Sequence, residues 1–205
     1  MTGFFPNKKT KPATKAKEKI YTCASCGLNL NCNSPKMRPF GNFKKGILNI
    51  GEFPGEVEDK YNKPWQGRYG KFLQKTYEKL GIDLFEDCLN INAVSCRPIA
   101  ENGKNRIPTK SEIDHCRRFV LMTIEKYKPK VIVLFGQLAL QSVVGHKWKT
   151  NLGTINKWRG WTIPDQEFQA WVCPVFHPSF VEWSDKGVEE VVWKNDLKQA
   201  FNLIL

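Results

Sequence analysis

Three short stretches of this 205-residue chain place reactive side chains in turns of restricted shape. In Gly51-Glu52-Phe53-Pro54-Gly55 a carboxylate sits in a turn made by two glycines and a proline. Glycine permits close backbone approach and positive φ, and proline stiffens the turn, so Glu52 is expected at the rim of a pocket. Asn92 stands near the end of a strand-like run that leads into Ser95-Cys96-Arg97-Pro98. An amide there can both donate and accept, which suits reading the edge of a base. His177-Pro178-Ser179-Phe180 follows another strand-like run. Taken singly, each stretch also has a plain structural reading: a surface turn, an asparagine satisfying backbone groups, or a polar loop histidine such as His115 and His146.

The elements around these loops form an alternating pattern. Ile47-Leu48-Asn49-Ile50 is a short apolar run stopped by Gly51, as a buried parallel strand would be. Tyr69, Phe72, Leu73, Thr76, Tyr77 and Leu80 recur at helical spacing before Gly81. Leu89 to Val94 reads as a second strand, and Ile113, Cys116, Val120, Ile124 and Tyr127 mark a helix with Ser111 as its expected N-cap and Pro129 as its end. Val131 to Phe135 is the most strand-like run, Gly136 opens a helix to about Val144, Trp171 to Val175 reads as a fourth strand, and 186–204 make a final helix. Strands alternating with helices predict right-handed crossovers and a three-layer α/β/α sandwich around a mostly parallel four-stranded sheet. Ligands of such sheets bind beyond the carboxyl ends of the strands, where all three unusual turns fall.

Composition narrows the partner. The chain carries 32 Lys and Arg against 20 Asp and Glu, a net +12 that raises the local concentration of polyanions, with nucleic acid foremost. Residues 1–19 hold six lysines against Glu18, with Pro6, Pro12 and almost no apolar side chains, and are expected to be a disordered tail that grips phosphates or merely solubilises. Residues 20–205 are expected to fold as one domain, a monomer. No stretch approaches the roughly 18 apolar residues of a membrane span, and no apolar signal segment is seen, so a cytoplasmic location is expected. Seven cysteines in such a compartment do not suit a disulfide framework, which leaves metal ligation or burial.

The three turns occur in an order that resembles the family 4 uracil-DNA glycosylases, the iron–sulfur class of the uracil-DNA glycosylase superfamily. The resemblance is carried by Gly51-Glu52-Phe53-Pro54-Gly55-Glu56-Val57-Glu58-Asp59, by Lys63-Pro64-Trp65-Gln66-Gly67-Arg68-Tyr69-Gly70, by Ile91-Asn92-Ala93-Val94-Ser95-Cys96-Arg97-Pro98, by Asn105-Arg106-Ile107-Pro108-Thr109 and by His177-Pro178-Ser179. It spans roughly Tyr21 to Phe180. It implies that the chain extrudes a pyrimidine nucleotide from DNA and hydrolyses its N-glycosidic bond. Trp65 would stack the base and Asn92 would bond its N3 and O4 edge, with Gly51, Phe53, Pro54, Gly55 and Gln66 shaping the pocket. Glu52 would position water and face the cationic sugar, and His177 would bond O2 of the leaving base. Phe180 or Val181 would fill the vacated stack, and Arg68, Lys71, Arg97, Arg106 and Ser179 would line the DNA side.

The cysteine spacing fits the same resemblance. Cys23-Ala24-Ser25-Cys26 lies far from Cys96 and Cys116, and four thiolates can hold a [4Fe–4S] cluster. Zinc is the competing metal by spacing, and the resemblance favours iron–sulfur. Cys32 is an alternative ligand, while Cys88 and Cys173 read as buried hydrophobes.

Two departures bear on the substrate. The family usually has phenylalanine at Trp65 and a small apolar residue at Gln66, which leaves open a modified pyrimidine, for instance in phage DNA as an antiphage activity. A related branch that attaches covalently to DNA carries a basic insertion ending in histidine; Gly103-Lys104-Asn105-Arg106-Ile107-Pro108 has none, so turnover without an adduct is expected. A binding protein that has kept the cluster and lost the reaction is the alternative of another class, against which Glu52 and His177 stand.

Overall fold

The computed structural model describes residues 23, 25–148, 151–184 and 187–204. The basic tail at 1–19 lies outside the described residues. Five strands form one sheet among the described residues, in the order β2 (Cys88–Asn92), β1 (Ile47–Gly51), β3 (Val131–Phe135), β5 (Ala170–Val175), β4 (Ile163–Asp165). The first four run parallel and β4 pairs antiparallel with β5. The four expected strands are all present, and β4 is an addition to them. It is three residues long, partly exposed, and carries Pro164. Proline is confined to edge positions because it cannot donate to a ladder, and a run this short has no alternation to read.

Residues of β1, β2 and β3 are buried throughout, because helices cover both faces. On one face Ile47, Val131, Val133, Phe135 and Val175 pack with Leu73 and Tyr77 of α2 (Arg68–Lys79) and with Trp193 and Leu197 of α6 (Val188–Phe201). On the other, Leu48, Ile50, Leu89, Ile132 and Leu134 meet Val120 and Ile124 of α3 (Lys110–Tyr127) and Leu140 and Val143 of α4 (Gly136–Trp148). Each fully buried side chain of this size contributes about 1.5–3 kcal/mol. The result is the expected α/β/α sandwich. Two shorter helices, α1 (Glu56–Tyr61) and α5 (Pro178–Trp183), sit in the loops beyond β1 and β5.

A buried polar relay fixes the register from which the site is built. The Tyr77 hydroxyl donates to Asn49 Oδ1 at 2.8 Å, and Asn49 Nδ2 donates to Asn90 Oδ1 at 3.0 Å. Asn49 and Asn90 are directly paired across β1 and β2, so Gly51 is opposed to Asn92 two residues on. Satisfied buried networks of this kind specify one arrangement. The N-cap of α3 is Thr109, not Ser111: its hydroxyl accepts from the Glu112 N–H, and Glu112 accepts from the Thr109 N–H at 2.7 Å, a capping box that starts the helix two residues earlier. No helix among the described residues is long and apolar enough to cross a membrane.

Candidate active site

The sheet order delivers the reactive residues side by side. Reading across β2, β1, β3 and β5, the carboxyl ends lead into Asn92, Glu52, Gly136 and His177 in turn. Neighbouring strands lie about 4.8 Å apart, so residues from four distant parts of the chain share one rim. There Glu52, Phe53, Gly55, Glu58, Trp65, Tyr69, Gly70, Asn92, Asn105, His177 and Ser179 enclose a cavity of about 230 Å³.

Glu52 reaches from the end of β1 to the first turn of α4, where its Oε1 accepts the Leu138 N–H at 3.1 Å and the Gln137 N–H also bonds the carboxylate. A helix N-terminus offers unsatisfied donors to an anion. Burial nevertheless wins: desolvation holds the Glu52 carboxyl above its ordinary range, against the pull of these two N–H groups. Gly136 makes the approach possible, since a Cβ there would lie 2.5 Å from Glu52 Oε1 and 3.1 Å from the His177 Cβ, and its φ is +86°.

His177 is the N-cap of α5, and its Nδ1 accepts the Ser179 N–H at 3.2 Å with the Ser179 hydroxyl at 2.7 Å. A nitrogen that accepts a backbone N–H carries no proton, so the neutral ring presents Nε2–H as a donor. Burial pushes the imidazole down to about 4, which keeps it neutral at physiological pH.

Trp65 is 8% exposed, with φ +60°. Its ring meets Phe135 edge-on at 5.3 Å and tilts against His177 at 5.8 Å. Two glycines admit it: a Cβ on Gly70 would stand 2.1 Å from the Trp65 carbonyl oxygen, and one on Gly51 would stand 3.0 Å from the indole edge and 2.5 Å from Asn92 Oδ1. Asn92 is buried, and no hydrogen bond from another described residue occupies its side-chain amide. Glu58 staples the loop by accepting the Gly67 N–H at 2.7 Å.

Some expected site residues stand elsewhere. Pro54 is buried in its turn, away from the cavity lining, and Gln66 turns to the Pro64 carbonyl at 3.1 Å and faces a neighbouring groove. Arg97 is no surface phosphate ligand: 7% exposed, it donates to Asn105 Oδ1 at 2.6 Å and to the Gly103 carbonyl at 3.2 Å. Arg106 forms a two-pronged pair with Glu112, at 2.9 and 2.6 Å, and exposed Arg68 pairs with Glu182 at 2.8 Å. Of the two residues expected to fill the vacated stack, Val181 is buried at 3% exposure and Phe180 is 50% exposed. Tyr69, Glu58 and Asn105 line the cavity although sequence reasoning does not mark them as pocket residues; the helical spacing of Tyr69 points instead to the core side of its helix.

All seven cysteines are free. Cys96 and Cys116 are buried beside Leu28, Val94 and Ile113, with Cys26 and Cys32 packed against them. Cys116 lies within electrostatic range of both Cys26 and Cys23, and Cys32 hydrogen-bonds Cys96. The N-terminal segment is pinned by Asp59, which accepts the N–H groups of Asn33 and Ser34 at 3.0 and 2.8 Å. Among the described residues no three His, Cys, Asp or Glu side chains close tightly around a single metal ion.

A doubly wound sheet with an acid, an amide, an indole and an imidazole around one cavity at its carboxyl edge defines a ligand-binding α/β protein with the groups for general acid–base and electrostatic catalysis. Residues 38–202 match the model of the uracil DNA glycosylase superfamily, and the chain belongs to that family. It is 38% identical over 187 residues to the type-4 uracil-DNA glycosylase of Thermotoga maritima, covering 91% of this chain and 92% of that one. The type-4 enzyme of Archaeoglobus fulgidus is 29% identical over 189 residues, covering 90% and 89%, and that of Sulfurisphaera tokodaii 32% over 170, covering 80% and 73%.

Proposed function

We propose that this chain is a uracil-DNA glycosylase that hydrolyses the N-glycosidic bond of an extruded deoxyuridine and leaves an abasic site for repair. The observation that carries the reading is the convergence of Glu52, Asn92, Trp65 and His177 on one cavity of about 230 Å³. The names of the relatives favour uracil over a modified pyrimidine.

The scissile bond is shielded in stacked DNA, so the nucleotide must leave the stack. Trp65 offers an aromatic face to the base, and the unoccupied Asn92 amide matches N3–H and O4 of uracil, whereas cytosine presents an acceptor and a donor in those places. As the bond breaks, negative charge gathers on the departing base and positive charge on the sugar. The Nε2–H of His177 donates to O2 without giving up its proton, as an oxyanion-hole donor does, and Glu52 orients the attacking water and opposes the sugar's charge. Release of uracil from a single- or double-stranded oligonucleotide, read as strand scission at the abasic site, tests this. Wild type is expected to act while Glu52→Gln and His177→Ala are severely impaired; a wild type inert on uracil that still binds DNA overturns it. Denaturing gels are expected to show no DNA–protein adduct.

Cys23, Cys26, Cys96 and Cys116 are the set proposed to hold a [4Fe–4S] cluster within the one domain formed by residues 20–205. The donor chemistry fits such a group: Cys26 packs against buried Cys96 and Cys116, and Cys116 lies within electrostatic range of Cys23 and Cys26, so thiols from distant parts of the chain are neighbours. When bound, the cluster supplies a cross-link that rigidifies the DNA-facing loops. Iron and acid-labile sulfide in the purified protein support this assignment, and stoichiometric zinc overturns it.

A further inference from the structure

We propose that the surface beside the base cavity where α5 meets α2 holds the nucleotide next to the extruded one in an unpaired strand, its base on the Trp183 indole and its phosphate in the neighbouring groove on Lys71 and Lys75. The inference rests on the glycosylase reading above and adds a second subsite to it.

Trp183 is 75% exposed and Phe180 50%, three residues apart on α5, the helix capped by His177. Side chains at that spacing lie on one helix face, and two large aromatics left in water mark a contact surface. The Trp183 ring is also held in place. Its Nε1–H donates to the Tyr69 hydroxyl at 2.5 Å, and Tyr69 itself lines the base cavity. The preceding residue on each helix repeats the link, Arg68 to Glu182 at 2.8 Å. An indole anchored by its edge loses little freedom when a base stacks on its face.

The adjoining groove, of about 470 Å³, is lined by Arg68, Lys71 and Lys75 with Glu182. Glu182 offsets Arg68, whereas Lys71 and Lys75 stand one helical turn apart and are paired with no acid among the described residues. Gln66, Gly67 and Arg68 of this groove stand between Trp65 and Tyr69 of the cavity lining, so the two adjoin, and a strand with one base in the cavity must continue past its mouth. A duplex neighbour has its faces covered by stacking, so an indole can take only an unpaired base.

The test compares excision from a single-stranded oligonucleotide with normal neighbours and from one whose neighbours on both sides of the uracil are abasic analogues. On the first, Trp183→Ala is expected to lower kcat/KM about tenfold and Trp183→Phe much less; on the second, wild type and Trp183→Ala are expected to converge. Lys71→Ala with Lys75→Ala is expected to shallow the salt dependence of binding to a uracil-free single strand, by about 0.7 in logarithmic slope for each phosphate the lysines no longer neutralise. A Trp183→Ala defect of equal size on both substrates, or none on either, overturns the proposal. Failure of wild type to release uracil from either substrate counts against the glycosylase reading instead, and anisotropy of wild type and Trp183→Ala with the uracil-free strand then still reads the Trp183 surface.

Discussion

The backbone N–H of Ser179 donates to Nδ1 of His177 at 3.2 Å, and this bond between residues two apart decides which imidazole nitrogen carries the proton. With Nδ1 occupied as an acceptor, Nε2–H is left to face the cavity.

That arrangement gives the first prediction. Removing one such donor costs about 10²–10³ in kcat, so His177→Ala is expected to fall by that factor with KM little changed. Because burial lowers the ring to about 4, the histidine stays neutral through pH 5–8 and contributes no limb to the rate profile there. The stability consequence has the opposite sign from a salt-bridged histidine. Between an unfolded value near 6.5 and a folded value of about 4 the unfolded chain binds the extra proton, so stability falls as pH drops through that window. Urea midpoints measured from pH 7 to pH 4 should decline more steeply for wild type than for His177→Gln.

Glu52 gives a second. Its carboxyl is held above the ordinary range by burial, so ionisation in the folded protein is costly. Stability supplied by its proton is complete below the unfolded value and is lost as pH rises through the folded one. Glu52→Gln should therefore unfold at the same or a higher temperature than wild type at pH 7, while its kcat falls by about 10²–10⁴. The wild-type rate should rise with pH through a value above that of a free glutamate, a limb absent from the variant. A variant that loses both activity and several degrees of melting temperature would count against a group stored at a cost for chemistry.

How much of this is legible in the sequence depends on the range of the interaction. The four parallel strands and the turns at Glu52, Asn92 and His177 are local patterns: short apolar runs reveal them, two of them stopped by Gly51 and Gly136. What local pattern does not carry is side-chain destination. Arg97 and Arg106 look like phosphate ligands in a loop sequence, and only the folded loop shows Asn105, Gly103 and Glu112 consuming their donors. Tyr69 keeps helical spacing with Leu73 and Thr76, yet it stands at the first turn of α2, where the helix leaves the core and borders the cavity. β4 escapes notice because three residues with a proline at their centre show no period.

Gly136 carries a third prediction, since no sequence pattern distinguishes its role from a helix start. With φ +86° and Glu52 Oε1 2.5 Å from where a Cβ would stand, alanine there meets both a disfavoured backbone and a collision with the acid. Such a substitution is expected to destabilise by more than the ~1 kcal/mol that an unstrained glycine-to-alanine change can gain. Because the collision displaces Glu52 and crowds His177, kcat should fall in parallel. Gly81→Ala is the control: it has φ +73° but nothing within 4 Å, so it should lose stability and retain its turnover.

The last prediction concerns Asp59, which belongs to the helix after β1 yet bonds the N-terminal segment of the domain. Its carboxylate accepts from Asn33 and Ser34, and the Ser34 hydroxyl donates to the Asp59 carbonyl. Asp59 is fully buried, and hydrogen bonds to a charged group contribute about 1.5–3 kcal/mol each. These bonds hold the segment that follows Cys23, Cys26 and Cys32, so they bring the N-terminal thiols up to Cys96 and Cys116. Asp59→Asn replaces one acceptor oxygen with a donor facing donors and should release that segment. The expected outcome is a lower iron-to-protein ratio and faster proteolysis before residue 37, with the melting temperature reduced. If iron content and protease resistance match wild type, the Asp59 bonds are dispensable for assembling the cysteine site.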